Sequence, residues 1–247
     1  MPLPGSSASG NGPRPRRLLP LQHKCGTQGP PALENSRQLA EIGSKRCKKV
    51  SHMPARPARN DAALDFLLSR RSRPAKTLVA PAPSREELLP ILTAAARTPD
   101  HGKLEPWRFI VVEKPAMARL AALTQAAGAR LGKSPEDIAK GRSQFDLGQL
   151  AVVVVEVQKD SPKIPALEQT YSAGAVCLGL LNAALASGWG ANWLTGWASH
   201  DRGFCQAAFD LAENERIAGI VHIATESTAP PERPRPDLEA ITTWVNA

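Results

Sequence analysis

The chain has 247 residues, with 31 Lys and Arg against 23 Asp and Glu, which gives a net charge of +8. This length suits one large domain, or one domain with an appendage, rather than an array of domains. The first 60 residues hold 11 basic residues and two acids, whereas the remainder holds 20 basic and 21 acidic residues and so lacks the charge of a basic nucleic-acid-binding domain.

The first segment of the chain, residues 1–57, is predicted to be a disordered extension. It is rich in proline and cations, and no aromatic residue precedes Phe66. Such a segment cannot bury enough apolar area to offset the entropy lost on ordering. We therefore predict two parts: a basic, Pro-rich extension over residues 1–57 and a folded domain over residues 58–247.

Three roles for the extension stay open at this stage. It could be an inert upstream segment with Met53 as the working start, a basic arm that contacts nucleic acid or an anionic surface, or a targeting peptide. The inert segment is favoured. The prolines would break the amphipathic helix of a transit peptide, and no apolar core of a secretory signal follows the first arginines.

The cysteine pattern predicts a reduced, cytoplasmic protein without a structural disulfide or zinc site. Cys25, Cys47, Cys177 and Cys205 form no CxxC pair, and no histidine lies at ligand spacing from them. The most apolar stretch, residues 170–187, is interrupted by Asn182 and is shorter than the ~20 residues that cross a bilayer. No membrane partner is expected.

Hydrophobic periodicity, capping residues and prolines divide the folded part into helices and strands. Asp61 can cap the first helix, whose Leu64, Leu67 and Leu68 share one face. Ser84 and Glu87 form a capping box at the start of the second. The predicted helices cover residues 61–70, 84–98, 115–131, 135–143, 170–187 and 201–211, and the predicted strands cover residues 107–112, 150–157, about 189–197 and 217–224.

Several of these elements carry predictions about burial. The second helix should bury one side of its surface, made by Leu88, Leu89, Ile91, Leu92 and Ala95. Strand 150–157 holds five valines, which predicts a central strand. Gly188 should end helix 170–187 in a left-handed conformation. Few strands and many helices predict an α+β fold, with a small, mixed sheet covered by helices on both faces.

The motifs that mark common hydrolases and nucleotide-binding enzymes are absent from the sequence. It contains no GxSxG, no HExxH and no P-loop. The pair Gly188 and Gly190 lacks the third glycine of a dinucleotide fingerprint and follows a helix rather than a strand.

Three polar clusters are candidate binding elements, each with an ordinary structural alternative. Arg70-Arg71-Ser72, followed by Arg73, could bind phosphate, or could complement the dipole at a helix end. Arg97 and His101 could be site residues or solvated loop residues, and Trp193-Leu194-Thr195 could be part of a site or of a core strand. No single cluster is sufficient to assign a binding function.

Taken together, these segments resemble the nitroreductase family of flavin mononucleotide (FMN) enzymes, and most closely its compact bacterial subgroup named for NAD(P)H nitroreduction. The resemblance runs from about Asp61 to the C-terminus, and residues 1–57 match nothing in that family. It rests on ALDFLLSRRSRP, RTPDHGKLEPWRFIVVE, EQTYSAGAVCLGLLNAALASGWGANWLTGW and IAGIVHIAT. It implies an FMN-dependent nitroreductase-like fold, with layers of helix, sheet and helix.

The resemblance also implies roles for individual residues. Arg70, Arg71 and Ser72 match the positions that hold the FMN phosphate and ribityl chain, and Arg97 and His101 match further FMN contacts, which makes the loop at residues 97–106 a wall of the site. Trp193, Leu194 and Thr195 match a second FMN-contacting triplet. The segment assigned to the nicotinamide cofactor is Ala183, Ala184, Leu185, Ala186, Ser187 and Gly188.

Two departures from the family pattern stand out. The subgroup tends to carry Arg where this chain has Leu194, so a cation is missing from that position, and Arg73 could replace it. The asparagine that typical nitroreductases have before the Pro-Trp pair is also absent, as in the subgroup.

The implied activity is an FMN-dependent NAD(P)H oxidoreductase. NADH or NADPH would deliver hydride to flavin N5, and a nitroaromatic, quinone or similar acceptor would take the electrons in a ping-pong scheme. No catalytic side chain and no metal is expected, since the flavin carries the chemistry. The family places FMN at a homodimer interface, for which helix 170–187 is a plausible core. The alternatives are a dehalogenase-type or flavin-fragmenting reaction on the same fold, and a non-enzymatic flavin-binding dimer with a nucleic-acid-contacting arm.

Overall fold

A computed structural model of the chain describes residues 56–246. The predictions for the extension, including Met53, Cys25 and Cys47, therefore lie outside the described residues, apart from the last two positions of the extension. Within residues 56–246, no helix combines the length and the apolar character that crossing a bilayer requires.

The described part of the chain contains seven α-helices and five strands in a mixed order along the sequence. The helices are α1 (Asp61–Ser69), α2 (Arg85–Ala95), α3 (Lys114–Arg130), α4 (Pro135–Asp146), α5 (Ala166–Ala186), α6 (Arg202–Phe209) and α7 (Leu238–Ile241). The strands are β1 (Leu78–Val79), β2 (Trp107–Glu113), β3 (Leu150–Val157), β4 (Gly190–Leu194) and β5 (Glu215–Glu226). Short 3-10 turns cover Ala75–Thr77, His101–Lys103 and Trp197–His200.

The five strands form one sheet in the order β1-β5-β3-β2, and β4 pairs with β5 alongside β1. The α+β fold class is confirmed, but all four strand pairings are antiparallel where the sequence predicted a mixed sheet. The reason lies in β5. Strands β3 and β4, which α5 connects, run in the same direction, but β5 lies between them and pairs with both.

Strand β3 organises the core because its side chains alternate between two apolar clusters. Ala151, Val153 and Val155 pack with residues of α3, α4 and α6, whereas the even-numbered residues from Leu150 to Val154 pack with α2 and α5. Every residue from Leu150 to Glu156 is buried. The predicted central strand and the layering of helix, sheet and helix are confirmed.

Capping residues and glycines in the sequence predicted most of the helix and strand boundaries correctly. The capping box of α2 is present, with Ser84 and Glu87 bonding each other's backbone N–H groups. Gly188 has a φ of 84°, the left-handed conformation predicted after α5. Helix α5 begins four residues before the predicted start, at Ala166, directly after Pro165 at its N-cap position.

Helix α1 departs from its prediction in two respects. Its N-cap is Asn60, whose side chain accepts from the Ala63 N–H, and not Asp61. None of its residues is buried, and Leu67 and Leu68 are 56% and 70% exposed, so its apolar face has no partner within residues 56–246. On α2, Leu89 is exposed instead of buried, because the helix turns that residue away from α5.

His222 is a buried polar residue of β5 that the sequence did not single out. It is 2% exposed, and its ring centroid lies 6.4 Å from that of Phe145. Within the described residues, neither ring nitrogen has a hydrogen-bond partner. Burial lowers the pKa of His222 to about 4, so the ring stays neutral in the folded protein at neutral pH.

This burial predicts an acid-sensitive fold. As pH falls from 6.5 towards about 4, the unfolded chain protonates His222 while the folded chain does not. The free energy of unfolding should therefore fall over that interval, by up to about 3 kcal/mol. Urea unfolding of His222→Leu, measured across the interval, should show a weaker pH dependence than wild type. The exposed His200→Gln serves as control, and an unchanged pH dependence in His222→Leu would contradict the assignment.

Candidate functional site

The segment Arg70–Arg73 is held against strand β4. Arg70 ends α1, and the chain then runs on to Arg73, whose N–H donates to the Ala191 carbonyl at 2.8 Å. The Asn192 side-chain amide donates in turn to the Arg73 carbonyl at 2.7 Å. These long-range bonds bring the arginine segment next to the triplet that begins at Trp193. Two of the three predicted clusters therefore meet in one place.

Arg70 lies in a concentration of positive charge that its surroundings do not neutralise. Its Nη2 donates to the Ser72 hydroxyl at 3.1 Å, but its buried Nε has no partner within the described residues. Burial lowers the pKa of the Arg70 guanidinium, and three neighbouring charges lower it further, those of Arg235, Arg71 and Arg73. A bound anion would both pair the open donor and offset this repulsion, which is what a phosphate group offers.

The other two arginines of the segment are already engaged by the chain itself. Arg71 Nη1 donates to the Pro231 carbonyl at 2.6 Å and lies 3.4 Å from the Glu232 carboxylate. Arg73 Nε lies 3.0 Å from the Glu226 carboxylate. Of the predicted phosphate residues, Arg70 and Ser72 are therefore the pair that remains open to a ligand. Arg73 forms an ion pair with Glu226, although its Nε–H has no hydrogen-bond partner within the described residues, and its replacement of the cation missing at Leu194 stays a prediction.

Arg235 is a residue of this cluster that the sequence analysis missed. It lies in the proline-rich tail, 2.9 Å from Glu232, and its charge acts on Arg70. The local signal was its place in the run RPRP, but only the folding of the tail onto Arg71 brings it near the segment.

The triplet Trp193-Leu194-Thr195 ends strand β4 and borders a cavity. The Trp193 indole lies against Gly219 so closely that a β-carbon at that glycine would collide with the indole nitrogen. Leu194 and Thr195 line the cavity, which has a volume of about 450 Å³. Of the predicted FMN residues, these two thus form part of a concave surface large enough for an aromatic ring system.

The opposite wall of this cavity comes from α4, an element to which the sequence analysis gave no functional role. Lys140 and Gln144 lie on this wall, with Lys76 and Trp197 beside them. Trp197 anchors the helix, since its Nε1 donates to the Asp137 carbonyl at 3.2 Å and its ring presses on Gly141. The buried Gln144 Oε1 accepts no hydrogen bond within the described residues and could accept one from a ligand.

The loop with Arg97 and His101 lies elsewhere, on the N-terminal half of α5. His101 Nδ1 lies 2.7 Å from Glu168 Oε2, and the Ser172 hydroxyl donates to the Pro99 carbonyl at 3.3 Å. The side chains of Arg97 and His101 are exposed. Among the hydrogen bonds and ion pairs of residues 56–246, none joins this loop to Arg70–Arg73 or to the triplet. Direct contacts within the described part of the chain therefore link two of the three clusters and leave this loop unconnected to them.

The six residues assigned to nicotinamide form the C-terminal end of α5. Ala184 is fully buried, and Ala183 and Leu185 are half-buried against the same core cluster. Ala186, Ser187 and Gly188 are exposed. A ligand that approaches this segment would contact these three exposed residues first. No group of three or more His, Cys, Asp or Glu side chains in the described residues could hold a metal ion.

Comparison with known proteins identifies the family of the chain. Residues 67–225 match the sequence profile described as "Nitroreductase family". The Escherichia coli K12 protein named "Putative NAD(P)H nitroreductase YdjA" is 34% identical over 163 residues, which cover 66% of this chain and 87% of that protein.

Solved structures show the same fold at lower identity. The nitroreductase-like family protein of Bacillus cereus aligns with a TM-score of 0.64 and 22% identity, over 78% of this chain and all of that one. A Desulfovibrio desulfuricans protein described as a "putative nitroreductase in complex with fmn" aligns with a TM-score of 0.60 and 20% identity, over 77% of this chain and 100% of that one. The chain belongs to the nitroreductase family and is an oxidoreductase of that family.

Proposed function

We propose that this protein is an FMN-dependent NAD(P)H oxidoreductase that reduces nitroaromatic, quinone or similar acceptors. The observation that carries the proposal is the unneutralised guanidinium of Arg70, which has an open, buried donor next to the Ser72 hydroxyl. The cavity lined by Leu194 and Thr195 lies at the end of β4, the strand to which the arginine segment is hydrogen-bonded. The FMN in the Desulfovibrio relative and the NAD(P)H in the name of the E. coli relative support the choice of cofactor and reductant.

The residues of the chain have distinct tasks in this proposal. Arg70 and Ser72 hold the phosphate, and the nearby positive charge of Arg235 adds to the attraction. When bound, FMN supplies the two-electron relay between NAD(P)H and the acceptor. The apolar side chains of Leu194 and Trp197 keep water from the cavity, which strengthens electrostatic interactions inside it. The exposed end of the segment Ala183–Gly188 is the surface offered to the nicotinamide.

We further propose that the working unit is a homodimer with FMN at its interface. Among the hydrogen bonds and ion pairs of residues 56–246, none joins Arg97 or His101 to Arg70, and a second copy could bring that loop to the arginine segment. Several large apolar side chains are also exposed, on α1, on α5 and in the tail: Leu68 is 70% exposed, Tyr171 65% and Trp244 88%. A second copy that covers these side chains would remove their apolar surface from water.

Two proposals concern the setting of the protein. The cysteine pattern favours the cytoplasm, and the near-neutral charge of residues 61–247 makes nucleic acid an improbable partner. The proposed functional domain covers residues 58–247, and residues 1–57 are not needed for its activity. A chain shortened to begin at Met53 should therefore keep its FMN content and its activity. A shortened chain that fails to fold would overturn this division.

The phosphate assignment predicts a ranking of arginine variants. Arg70→Ala should weaken FMN binding by roughly tenfold to a hundredfold, because it removes charge-assisted hydrogen bonds worth about 1.5–3 kcal/mol. Arg71→Ala should cost less, since Arg71 is occupied by Pro231 and Glu232. Quenching of FMN fluorescence on titration with protein gives both dissociation constants. The exposed Arg85→Ala is the control, and an Arg70→Ala protein that binds FMN as tightly as this control would refute the assignment.

The shared site predicts complementation between two defective variants. Arg70→Ala and His101→Ala homodimers should each retain little FMN, since each variant spoils every site. In a mixed dimer, one of the two sites would combine an intact Arg70 with an intact His101. Co-expression of the two variants should therefore restore one FMN for each mixed dimer, measured by flavin absorbance. If FMN content in the mixture stays at the level of the separate variants, the site lies within a single chain.

A further inference from the structure

The cavity beside Leu194 contains two lysines that the predicted site did not include. Lys76 belongs to the 3-10 turn Ala75–Thr77, and Lys140 lies on α4. The ion pairs formed within residues 56–246 include neither lysine. One acidic residue, Asp137, also lines the cavity, so the lining carries an excess of one positive charge.

The rest of the lining is suited to a flat apolar ring. Ala75, Leu147, Leu194 and Trp197 contribute apolar surface between the charged groups. Lys76 and Lys140 are both exposed, so water and salt partly screen their attraction for a charged ligand. A cavity with aromatic and aliphatic walls and a net positive charge is complementary to an aromatic anion.

The positive charge in this cavity comes from the lysines and from no arginine of the predicted site. Leu194 is uncharged, and Arg73 is paired with Glu226. Lys140 is carried by a helix that Trp197 holds in place through Asp137 and Gly141. The position of its backbone is therefore determined by packing, and its side chain can reach for a ligand without breaking an ion pair.

We propose that this cavity selects aromatic electron acceptors that carry a carboxylate or a similar anionic group, and that Lys76 and Lys140 bind that group. The proposal rests on the proposed function, because it identifies the class of acceptor taken by the same site. It assigns the two lysines to binding and specificity and gives them no part in transferring electrons or protons.

The test compares two small ligands that cannot be reduced and differ chiefly in charge, benzoate and benzamide. Each is titrated into the FMN-loaded protein, and binding is followed by the change in the flavin absorbance spectrum, which requires no turnover. Benzoate should bind roughly tenfold more tightly than benzamide, as expected for a hydrogen bond to a charged group. Added salt should reduce the difference, because it screens partly exposed charges.

Lysine variants then locate the source of the preference. Lys76→Met and Lys140→Met should each reduce the preference for benzoate, and the double variant should bind both ligands with similar affinity. Methionine keeps an unbranched apolar side chain, so the cavity wall is retained. Lys163→Met, at an exposed position in the loop before α5, is the matched control and should leave the preference unchanged.

The possible failures are distinguishable. Protein that binds no FMN overturns the proposed function and this inference together. FMN-loaded protein that binds benzoate and benzamide equally overturns only the acceptor class. Double-variant protein that loses FMN affinity while keeping the preference for benzoate also overturns it, since the lysines would then serve the flavin.

Discussion

The functional architecture depends on the hydrogen bonds between Arg73 and strand β4. Helix α1 has no buried residue, so packing alone does not position the arginines that follow it. The Arg73 N–H and carbonyl instead bond to the Ala191 carbonyl and the Asn192 side chain, both in the sheet. Without this pair of contacts, a cationic segment at the end of an exposed helix would have no defined relation to the cavity at Leu194. These contacts therefore fix the position of the phosphate-binding segment relative to the cavity proposed for the flavin ring.

The sheet in turn supplies a rigid support for these contacts. Strand β5 pairs with β3 on one side and with both β1 and β4 on the other. Alternating valines of β3 hold helices on both faces. Since both hydrogen bonds of the Arg73 backbone end on β4, the pairing of β4 with β5 transmits the order of the core to the binding segment. The polar groups lie on loops, and the buried strands fix the positions of those loops.

The sequence predicted best those features that local chemistry decides. The limits of β3, the Ser84–Glu87 capping box and the left-handed Gly188 were all confirmed, because each depends on residues close together in the chain. The resemblance to nitroreductases was also confirmed, since its motifs span most of the folded part. The predicted FMN and nicotinamide contacts of individual residues remain proposals.

The features that the sequence did not predict are those made by distant segments. An apolar face on α1 does not reveal whether other parts of the fold cover it, and residues 56–246 leave it exposed. The sheet was predicted to contain both parallel and antiparallel pairs, but its pairs are antiparallel. Nothing in the sequence of β3 or β4 indicates that the last strand lies between them. No local pattern marks Lys140, and the run RPRP around Arg235 does not reveal its neighbours, so only tertiary folding brings these residues to the cavity and the arginine segment.

The central claim is that the Arg70 cluster recognises the phosphoryl end of a flavin. The most direct measurement compares the affinity of the purified protein for FMN with its affinity for riboflavin, which has the same ring and ribityl chain but no phosphate. The account predicts that FMN binds at least tenfold more tightly, because only FMN can occupy the open donors of Arg70 and Ser72. Equal affinity for the two flavins would contradict it.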